Sequence, residues 1–480
     1  MPKEESKGIT VAKEKDIAEW YQQVCLKSNL AEYSSVKGCM VIKPAGYSIW
    51  EAIQDYFNQR LKHYNVKNAY FPLFIPESFF KKEAEHAKGF APEVAWIANK
   101  DPGQERLAIR PTSETIIYDC FSRWIRSWRD LPFKVNQWCN VVRWETEATK
   151  LFIRSREFLW QEGHCAYETK EECEKETLIY LQEYIDLCKD LLAIPLLHGK
   201  KTEKEKFPGA ETTYTIEAFM PDGKAIQAGT SHNLTQGFAK SFGIKFLGKD
   251  EKDHMPWQNS WGVSTRLIGT MVMLHSDNKG LVLPPNVAKN KLVIVPILFD
   301  DTKDKVLKEC SKLKDSLEEF NPILDDRTDY TPGWKFNEHE LNGVPLRIEL
   351  GPKDLKEGKV VIVCRDNGEK HKVDISKARE FIRKELQSMH SRLYDKALKA
   401  LQSSMVNVSD LKELEKSAKA GKLSLATFCN DIKCEDSMRA KIEGVKSRCI
   451  PFDNELAKKG SKCINCGKEA KVNVYFSRYY

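Results

Sequence analysis

Residues 141–164 read VVRWETEATKLFIRSREFLWQEGH, and this stretch decides the fold. Its pattern predicts a strand to about Thr146, a short polar turn, and a second strand from Arg154 onward. Because side chains alternate between the two faces of a strand, one face of this hairpin should carry charged and aromatic groups. That face comprises Arg143 and Glu145 on the first strand, and Arg154, Arg156, Phe158, Trp160, Glu162 and His164 on the second.

This face suits an anionic ligand better than a dry core, because each unpaired charge would be costly to bury. Arginine binds phosphate or carboxylate through a planar fork, an aromatic ring can stack on a base, and Glu145 could hold a metal ion on phosphates. A nucleoside triphosphate fits that description. An exposed hairpin whose charges are simply solvated is the alternative.

The hairpin resembles motif 2 of class II aminoacyl-tRNA synthetases, and the run RSREFLWQEGH is similar to prolyl-tRNA synthetases of archaeal and eukaryotic type. The resemblance extends from about Gly8 to the last residue. It implies an α/β protein: an α+β catalytic core with an antiparallel sheet flanked by helices, an α/β anticodon-binding domain, and a small zinc-bearing α+β domain. We expect these domains at residues 1–287, 288–395 and 396–480.

Composition agrees with a large multidomain protein, since 480 residues with 41% hydrophobic content predict two to four domains. The formal charge of +7 suits a polyanionic partner and equally suits an ordinary, mildly basic enzyme. The charged N-terminus lacks a signal-peptide core, and no apolar run approaches a membrane span. Fourteen scattered cysteines indicate reduced thiols. We therefore expect a cytoplasmic protein with neither membrane nor DNA as a partner.

Residues 47–64 have an apolar helical rhythm, and residues 68–76 are strand-like with Pro72 and Pro76. Residue chemistry alone favours a core helix beside an edge strand. The resemblance implies that they form motif 1, through which class II synthetases pair as homodimers.

Residues 108–115 read AIRPTSET and predict a strand that breaks at Pro111 into a helix reaching about Asp130. Thr112 or Ser113 can cap that helix, and Glu114 suits its first turn. The resemblance implies that Thr112 and Glu114 contact the amino-acid substrate, with Glu114 as the counter-charge for the secondary ammonium of proline.

Two later loops offer ligand groups. Phe207 lies beside Pro208 in an otherwise charged segment, and Gln227, Thr230 and His232 surround small residues that let a ligand approach the backbone. A lone histidine in such a loop is more often structural. The resemblance places Phe207 and His232 against proline, and Gln227 and Thr230 against ATP.

Residues 260–269 read SWGVSTRLIG and open an apolar helix. An arginine near the start of a buried helix makes sense if its guanidinium reaches a phosphate. The stretch resembles motif 3, with Arg266 as its arginine and Ser264 on ATP, although its glycines before the arginine are reduced to Gly262.

From Leu292 the pattern restarts as an α/β unit, for which we expect a mainly parallel sheet. Charges at its turns are commonly only solvated, but they can also contact unstacked RNA bases. The resemblance identifies an anticodon-binding domain, and the expected base contacts are Glu340, Arg347, Lys353 and Asp354.

The tail carries two close cysteine pairs, which are Cys429 with Cys434 and Cys463 with Cys466. Four thiolates suffice for a tetrahedral zinc site, which would stabilise a polar tail. Free thiols are the alternative, and Cys449 is a fifth candidate ligand. The resemblance implies a structural zinc domain.

The implied reaction joins proline and ATP as prolyl-adenylate and then transfers the prolyl group to tRNA(Pro). Arg143 and Arg266 would be the catalytic residues, with Arg143 bridging the carboxylate and the α-phosphate. Arg154 and Arg266 would take the outer phosphates, Phe158 would stack on adenine, and Glu145 would help hold Mg²⁺. The proline-binding set is Thr112, Glu114, Arg143, Trp160, Glu162, His164, Phe207 and His232.

Other nucleotide enzymes are disfavoured because the chain has no Walker GxxxxGK[ST] sequence, no GxGxxG and no class I synthetase motif. The interval between Glu162 and Gly262 is also too short for a bacterial-type editing insertion. Two alternatives stay open: a synthetase for threonine or histidine, and a non-catalytic RNA-binding paralogue. The retention of Arg143, Arg154 and Arg266 disfavours the paralogue.

Overall fold

A computed structural model describes residues 7–84, 93–98, 103–144 and 149–480, with side chains described to residue 80 in the first range. The N-terminal part is a mixture of helices and mainly antiparallel strands. Its helices are α1 (Ile17–Lys27), α2 (Pro44–His63), α3 (Glu77–Ala84), α4 (Glu114–Trp124), α5 (Lys170–Asp186), α6 (Gly237–Phe242) and α7 (Arg266–His275). Its strands are β1 (Ala31–Tyr33), β2 (Met40–Ile42), β3 (Lys67–Asn68), β4 (Phe74–Pro76), β5 (Leu107–Ile109), β6 (Phe133–Val142), β7 (Glu157–Tyr167), β8 (Leu197–Lys200), β9 (Thr212–Phe219), β10 (Lys224–Thr235), β11 (Phe246–Leu247), β12 (Asp253–His254) and β13 (Trp257–Ser264).

The predicted antiparallel sheet is present and runs in the order β8-β9-β10-β13-β7-β6. Every neighbouring pair in that run is antiparallel, whereas β3 joins β6 in parallel. An aromatic layer braces the sheet against α5: the rings of Tyr180 and Trp261 stack 4.1 Å apart, and Tyr184 stacks on Phe57 of α2 at 5.1 Å. Stacked rings bury much apolar area and fix β13 relative to the helices.

The hairpin differs from the prediction at both strand ends. The first strand stops at Val142 and the second begins at Glu157, so Arg143, Arg154 and Arg156 lie outside the ladder. Beyond the strand ends, individual backbone hydrogen bonds replace the regular strand pairing. The Arg143 N–H donates to the Arg156 carbonyl, 2.7 Å away. The expected alternation therefore holds only from Phe158 onward.

Two predicted elements are shorter than expected. Residues 68–76 form two short strands, β3 and β4, and the helix after Pro111 ends at Trp124 before a separate 3₁₀ turn at Trp128–Asp130. That turn has its own cap, because the Asp130 carboxylate accepts the N–H groups of residues 126 and 127. Helix α5 ends at Asp186, and the chain continues as a π-helical turn over Leu187–Leu191.

The middle part is the predicted α/β unit, but its sheet is mixed rather than mainly parallel. The elements are β14 (Leu292–Pro296), α8 (Lys303–Ser316), β15 (Ile323–Leu324), α9 (Pro332–Leu341), β16 (Leu346–Leu350), α10 (Pro352–Lys356), β17 (Lys359–Cys364), β18 (Lys370–Asp374) and α11 (Ala378–Ser404). The strand order is β15-β14-β16-β17-β18, with β14 parallel to β15 and β16, and the other two pairs antiparallel. The strands after β16 return through short connections, which favour antiparallel pairing.

Helix α11 is 27 residues long and crosses the position at which we expected the third domain to begin, between residues 395 and 396. Its buried positions recur at helical spacing from Ala378 to Leu401, so one helix packs first on the middle part and then on the C-terminal part. Neither α11 nor any other helix in the described residues has the length and apolar character needed to span a bilayer.

The C-terminal part extends the antiparallel sheet of the N-terminal part, which the sequence did not predict. Its elements are β19 (Met405–Asn407), α12 (Leu411–Lys419), β20 (Leu423–Phe428), α13 (Ile432–Lys441), β21 (Val445–Pro451) and β22 (Val472–Tyr479). These strands give a continuous sheet in the order β19-β20-β22-β21-β8, and β22 also pairs with β10. Gly199 permits the close approach of β8 to β21, because a Cβ there would lie 2.0 Å from the Ile450 carbonyl oxygen.

Candidate active site

A cavity of about 290 Å³ lies where β7, β10 and β13 meet the start of α4 and α7. Polar groups from six separate segments converge on it. The predicted site residues that line it are Thr112, Glu114, Arg143, Phe158, Trp160, Glu162, His164, Phe207, Gln227, Thr230, His232, Ser264 and Arg266. The structure thus brings together nearly all of the predicted proline-binding and ATP-binding residues.

One end of the cavity holds a buried carboxylate at the start of α4. Glu114 is 5% exposed, and the Thr112 hydroxyl donates a short hydrogen bond to it. Burial raises the pKa of Glu114, against the opposing effect of the nearby His164. The expected cap is absent, since the Ser113 side chain accepts no helix N–H and instead accepts a hydrogen bond from Gln137.

A second buried carboxylate, Glu162, is held by hydrogen bonds on both oxygens. His164 Nε2 lies 3.1 Å from one oxygen, and the Gln137 amide donates to the other at 3.0 Å. Burial opposes ionisation of Glu162, but hydrogen bonds from His164, Ser113 and Gln137 hold the pKa of this carboxyl below the ordinary value. An ionised Glu162 accepts a hydrogen bond from the Nε2–H group of His164. The Tyr118 hydroxyl lies 3.1 Å from Nδ1 of the same ring and hydrogen-bonds to it.

The alternation of β7 places Trp160, Glu162 and His164 on the cavity side. Gly163 lies between them, opposite Trp261 in the β7–β13 register. A Cβ on Gly163 would lie 2.1 Å from the Trp261 ring, so only glycine fits there. The Trp160 indole N–H donates to Cys139 Sγ at 3.2 Å, which fixes the ring at the cavity wall.

Phe207 and His232 form an uncharged wall. Their ring centroids lie 4.6 Å apart, and His232 Nδ1 is 3.0 Å from the Thr213 hydroxyl, which also accepts the Phe207 N–H. Burial, with the neighbouring His164 and Lys201, lowers the pKa of His232 to about 3. His232 is therefore a neutral imidazole near pH 7.

The opposite end of the cavity carries two arginines. Arg143 Nε donates to the Pro111 carbonyl at 3.2 Å, and its guanidinium lies 5.5 Å from the Phe158 ring and 5.7 Å from Trp160. Arg266 at the start of α7 donates to the carbonyls of Ile153 and Gln227 at 3.1 and 3.0 Å. Burial, reinforced by the cations around it, lowers the pKa of Arg266 to about 10.

Backbone irregularities place the remaining predicted groups. The register of β10 shifts between Gln227 and Gly229, while Thr230 is 9% exposed beyond that shift. The Ser264 hydroxyl at the end of β13 accepts the Arg266 N–H at 3.3 Å, so it is positioned at the entry to α7.

Three hairpin residues stand apart from this cavity. Arg154 is exposed and lines an adjoining cavity of about 230 Å³. Arg156, predicted on the ligand face, instead lies over the Trp144 ring at 4.6 Å and donates to the Lys37 carbonyl, because it precedes the strand. Glu145, the predicted magnesium ligand, falls outside the described residues.

Sequence reasoning missed the groups that reach these cavities from distant parts of the chain. Tyr118 and Gln137 position Glu162 and His164, while Glu205 lines both cavities. No local pattern marks them, since each is an ordinary residue of a helix, strand or loop. The residues that reach the second cavity from elsewhere are Lys201, Lys446, Arg448, Tyr479 and Tyr480.

The four predicted zinc ligands come together between α13 and the strands of the C-terminal part. One sulfur from each of Cys429, Cys434, Cys463 and Cys466 lies within 4.8 Å of all the others. The measured Sγ–Sγ distances for Cys434–Cys463 and Cys429–Cys466 are both 3.8 Å. Cys449 is fully buried elsewhere and does not belong to the group.

The predicted anticodon residues divide into two sets. Arg347 is 7% exposed and pairs with Glu340 at 3.0 Å and with Glu349 at 2.9 Å, so its charge is largely satisfied inside the protein. Lys353 and Asp354 lie in α10, where the Asp354 carboxylate accepts the Gly351 N–H at 3.2 Å.

Comparison with known families covers most of the chain. The family described as "tRNA synthetase class II core domain (G, H, P, S and T)" matches residues 96–275. "Anticodon binding domain" matches residues 291–385, and "Prolyl-tRNA synthetase, C-terminal" matches residues 411–480.

Individual relatives match over the full length. The chain is 46% identical over 484 residues to proline–tRNA ligase 2 of Bacillus thuringiensis strain Al Hakam, covering 100% of both chains. It is 48% identical over 472 residues to the proline–tRNA ligase of Alkaliphilus oremlandii strain OhILAs, covering 97% of each. A crystal structure of prolyl-tRNA synthetase from Cryptosporidium parvum, complexed with halofuginone and AMPPNP, superimposes with a TM-score of 0.93 at 42% identity. That match covers 100% of this chain and 99% of the other. With full-length relatives at this identity and three family matches in the predicted order, the chain belongs to the prolyl-tRNA synthetases, the proline–tRNA ligases of class II.

Proposed function

We propose that the protein activates L-proline with ATP and transfers the prolyl group to the 3′ end of tRNA(Pro). In the first step a proline carboxylate oxygen bonds to the α-phosphorus, and the bond from that phosphorus to the bridging oxygen breaks, which releases pyrophosphate. In the second step a terminal hydroxyl of tRNA attacks the prolyl carbonyl and AMP leaves. The observation that carries the proposal is one cavity with a buried carboxylate end and an arginine end.

The carboxylate end fits proline. Glu114 would accept the secondary ammonium with Thr112 beside it, while Glu162 and His164 form a rigid polar floor. The rings of Trp160 and Phe207 would enclose the pyrrolidine, and neutral His232 adds no cation to repel the ammonium. Buried groups with fixed partners favour one amino acid, since a wrong side chain would leave them unpaired.

The arginine end fits the triphosphate. Arg143 belongs to this end but lies 5.7 Å from the Trp160 ring, and it would bridge the proline carboxylate and the α-phosphate. Arg266 would bind the outer phosphates together with Arg154 from the adjoining cavity. Phe158 would stack on adenine, and the ribose and phosphates would meet Gln227, Thr230 and Ser264.

Catalysis then needs no nucleophilic side chain, because the substrate carboxylate is already ionised. The work of the site is to align that carboxylate with the α-phosphorus and to stabilise the charge that develops on the phosphates. Arg143 is prepared for this role, since its Nε bond to the Pro111 carbonyl orients the guanidinium before substrates arrive. The Mg²⁺ role of Glu145 stays a prediction.

The cysteine cluster fits structural zinc. Zn–S bonds of about 2.3 Å in a tetrahedron place the sulfurs about 3.8 Å apart, and 3.8 Å is the spacing of both measured pairs. Zn²⁺ held by these four thiolates would supply folding energy to the C-terminal part and has no place in the chemistry.

Recognition of tRNA and self-association complete the proposal. The domain at residues 288–395 would bind the anticodon, with the exposed Lys353 more accessible to bases than the mutually paired Glu340 and Arg347. Motif 1 would form a homodimer, in keeping with the exposed rings of Tyr70 and Phe74 around β4. The domains at residues 1–287 and 396–480, and the cytoplasmic location, stay predictions.

The decisive experiment is amino-acid-dependent exchange of pyrophosphate into ATP, run without tRNA across all twenty amino acids. We expect exchange with proline, with at most weak exchange for alanine. Exchange with threonine or histidine alone would overturn the specificity, and no exchange with any amino acid would favour the binding-only alternative.

A further inference from the structure

The second cavity, of about 230 Å³, continues directly from the first. The two share six lining residues, which are Arg143, Phe158, Glu205, Gln227, Ser264 and Arg266. The far wall comes from the C-terminal part, where strand β21 contributes Lys446 and Arg448, strand β22 contributes Tyr479, and Tyr480 follows β22. A polyphosphate that extends past Arg266 would therefore reach residues almost two hundred positions away in the chain.

This second cavity has an excess of positive charge. Its cations are Arg143, Arg154, Lys201, Arg266, Lys446 and Arg448, whereas Glu205 is the one acidic side chain among the described residues that line it. Glu205 is already paired with Arg439 at 2.6 Å.

Two of those cations share a buried acid behind the wall. Lys201 and Arg448 both bind Glu217, which is fully buried, with both ion-pair distances at 2.5 Å. Two cations and one carboxylate leave a net positive charge in a site of low exposure. Uncompensated buried charge is costly, so the site is built to receive an anion.

Lys446 is the cation in this wall whose charge is least satisfied. It is half-buried, its ammonium lies 4.1 Å from the Tyr479 ring centroid, and no carboxylate in the described residues comes within ion-pair distance of it. Burial lowers its pKa, Arg439, Arg448 and Arg154 lower it further, and Glu205 opposes them. A ring contact orients the ammonium but leaves its hydrogen-bond donors available.

We propose that Lys446 binds the outer phosphates of ATP, and the pyrophosphate that leaves, together with Arg154 and Arg266. This inference rests on the proposed adenylation, because it assigns the leaving group of that reaction to a second site. When the bond to the α-phosphorus breaks, negative charge moves onto pyrophosphate, and an ammonium beside it stabilises that charge. The C-terminal part thus completes the ATP site as well as extending the sheet.

The test is proline-dependent pyrophosphate exchange with Lys446→Met, which keeps the apolar stem and removes the charge. We expect KM for both ATP and pyrophosphate to rise about tenfold, the loss of one charge-assisted hydrogen bond, while KM for proline is unchanged. Lys446→Arg should restore much of the affinity, because a cation returns. Lys419→Met, on α12 of the same part and outside every cavity described above, should match the wild type.

The outcomes separate this proposal from the proposed function. Wild-type protein without proline-dependent exchange would refute the adenylation itself. Wild-type exchange with unchanged KM for ATP and pyrophosphate in Lys446→Met would refute the role of Lys446 alone. A defect confined to tRNA charging would also refute it and would assign the anion to the acceptor end of tRNA. Thermal unfolding and zinc content of each variant show whether the fold is intact.

Discussion

Replacing Glu114 by glutamine should weaken proline binding while leaving ATP binding intact. The substitution removes one negative charge from a side chain that is 5% exposed, yet it keeps an oxygen for the Thr112 hydroxyl. A hydrogen bond to a charged group contributes about 1.5–3 kcal/mol. The KM for proline should therefore rise about 10- to 150-fold, with KM for ATP little changed because the phosphate end lies across the cavity.

The same carboxylate predicts a pH dependence. Burial raises the pKa of Glu114 above the ordinary glutamate value, so the free site begins to protonate at a higher pH than an exposed glutamate would. Only the ionised form attracts the proline ammonium. As pH falls through this raised pKa, the site must lose a proton before proline binds, so KM for proline should rise in the wild type.

Pyrophosphate exchange measured against proline concentration over a range of acidic to neutral pH checks both effects. The Gln variant should lose the acid-side rise in KM, because its amide does not titrate. Glu157→Gln, at the start of β7 and outside the cavity, serves as the matched control and should behave as the wild type does. Our reasoning is wrong if Glu114→Gln has a normal KM for proline, or if its KM still rises as pH falls.

Three further changes test other parts of the molecule. Arg143→Ala should abolish pyrophosphate exchange but leave tRNA binding largely intact in a filter assay; activation at a near wild-type rate would contradict its bridging role. Glu217→Gln should reduce the free energy of unfolding in urea by about 3–5 kcal/mol, because it leaves the buried cations Lys201 and Arg448 without their carboxylate partner. Glu455→Gln removes a partly exposed carboxylate that pairs with Lys200, and it should cost about 0–1 kcal/mol; equal effects of the two substitutions would contradict the burial argument. Removal of zinc by a chelator should lower the thermal unfolding temperature and release one metal ion per chain; Cys434→Ala protein that still holds stoichiometric zinc would contradict the four-thiolate site.

Much of the site was predictable because many of the side chains that line it are close together in the sequence. From Phe158 to His164 the ligand groups recur every second residue, and strand alternation alone places them on one side. The same reasoning failed at Arg156, because a residue beyond the ladder no longer follows the alternation. Strand ends depend on which hydrogen bonds compete there, and a periodic pattern does not reveal this.

Helices and strands within each part of the chain could be predicted from the sequence, but the pairing of strands from different parts could not. The helix predicted at residues 47–64 is present as α2 with nearly the same bounds, since its pattern depends only on its own residues. The pairing of β8 with β21 joins chain segments some 250 residues apart, and neither strand is unusual alone. Gly199 was a signal that a second backbone approaches, but it does not say which one.

The join between β8 and β21 also explains why the C-terminal part matters for catalysis. β8 is followed by Lys201, and β21 carries Arg448, so the pairing that extends the sheet also brings both cations onto Glu217. The same strand holds Lys446 at the wall of the second cavity, which Arg448 also lines. Loss of zinc from the nearby cysteines should therefore affect the phosphate end of the site before the proline end, as a rise in KM for pyrophosphate at constant KM for proline. If both constants changed together on zinc removal, the C-terminal part would support the whole catalytic sheet rather than the phosphate site in particular.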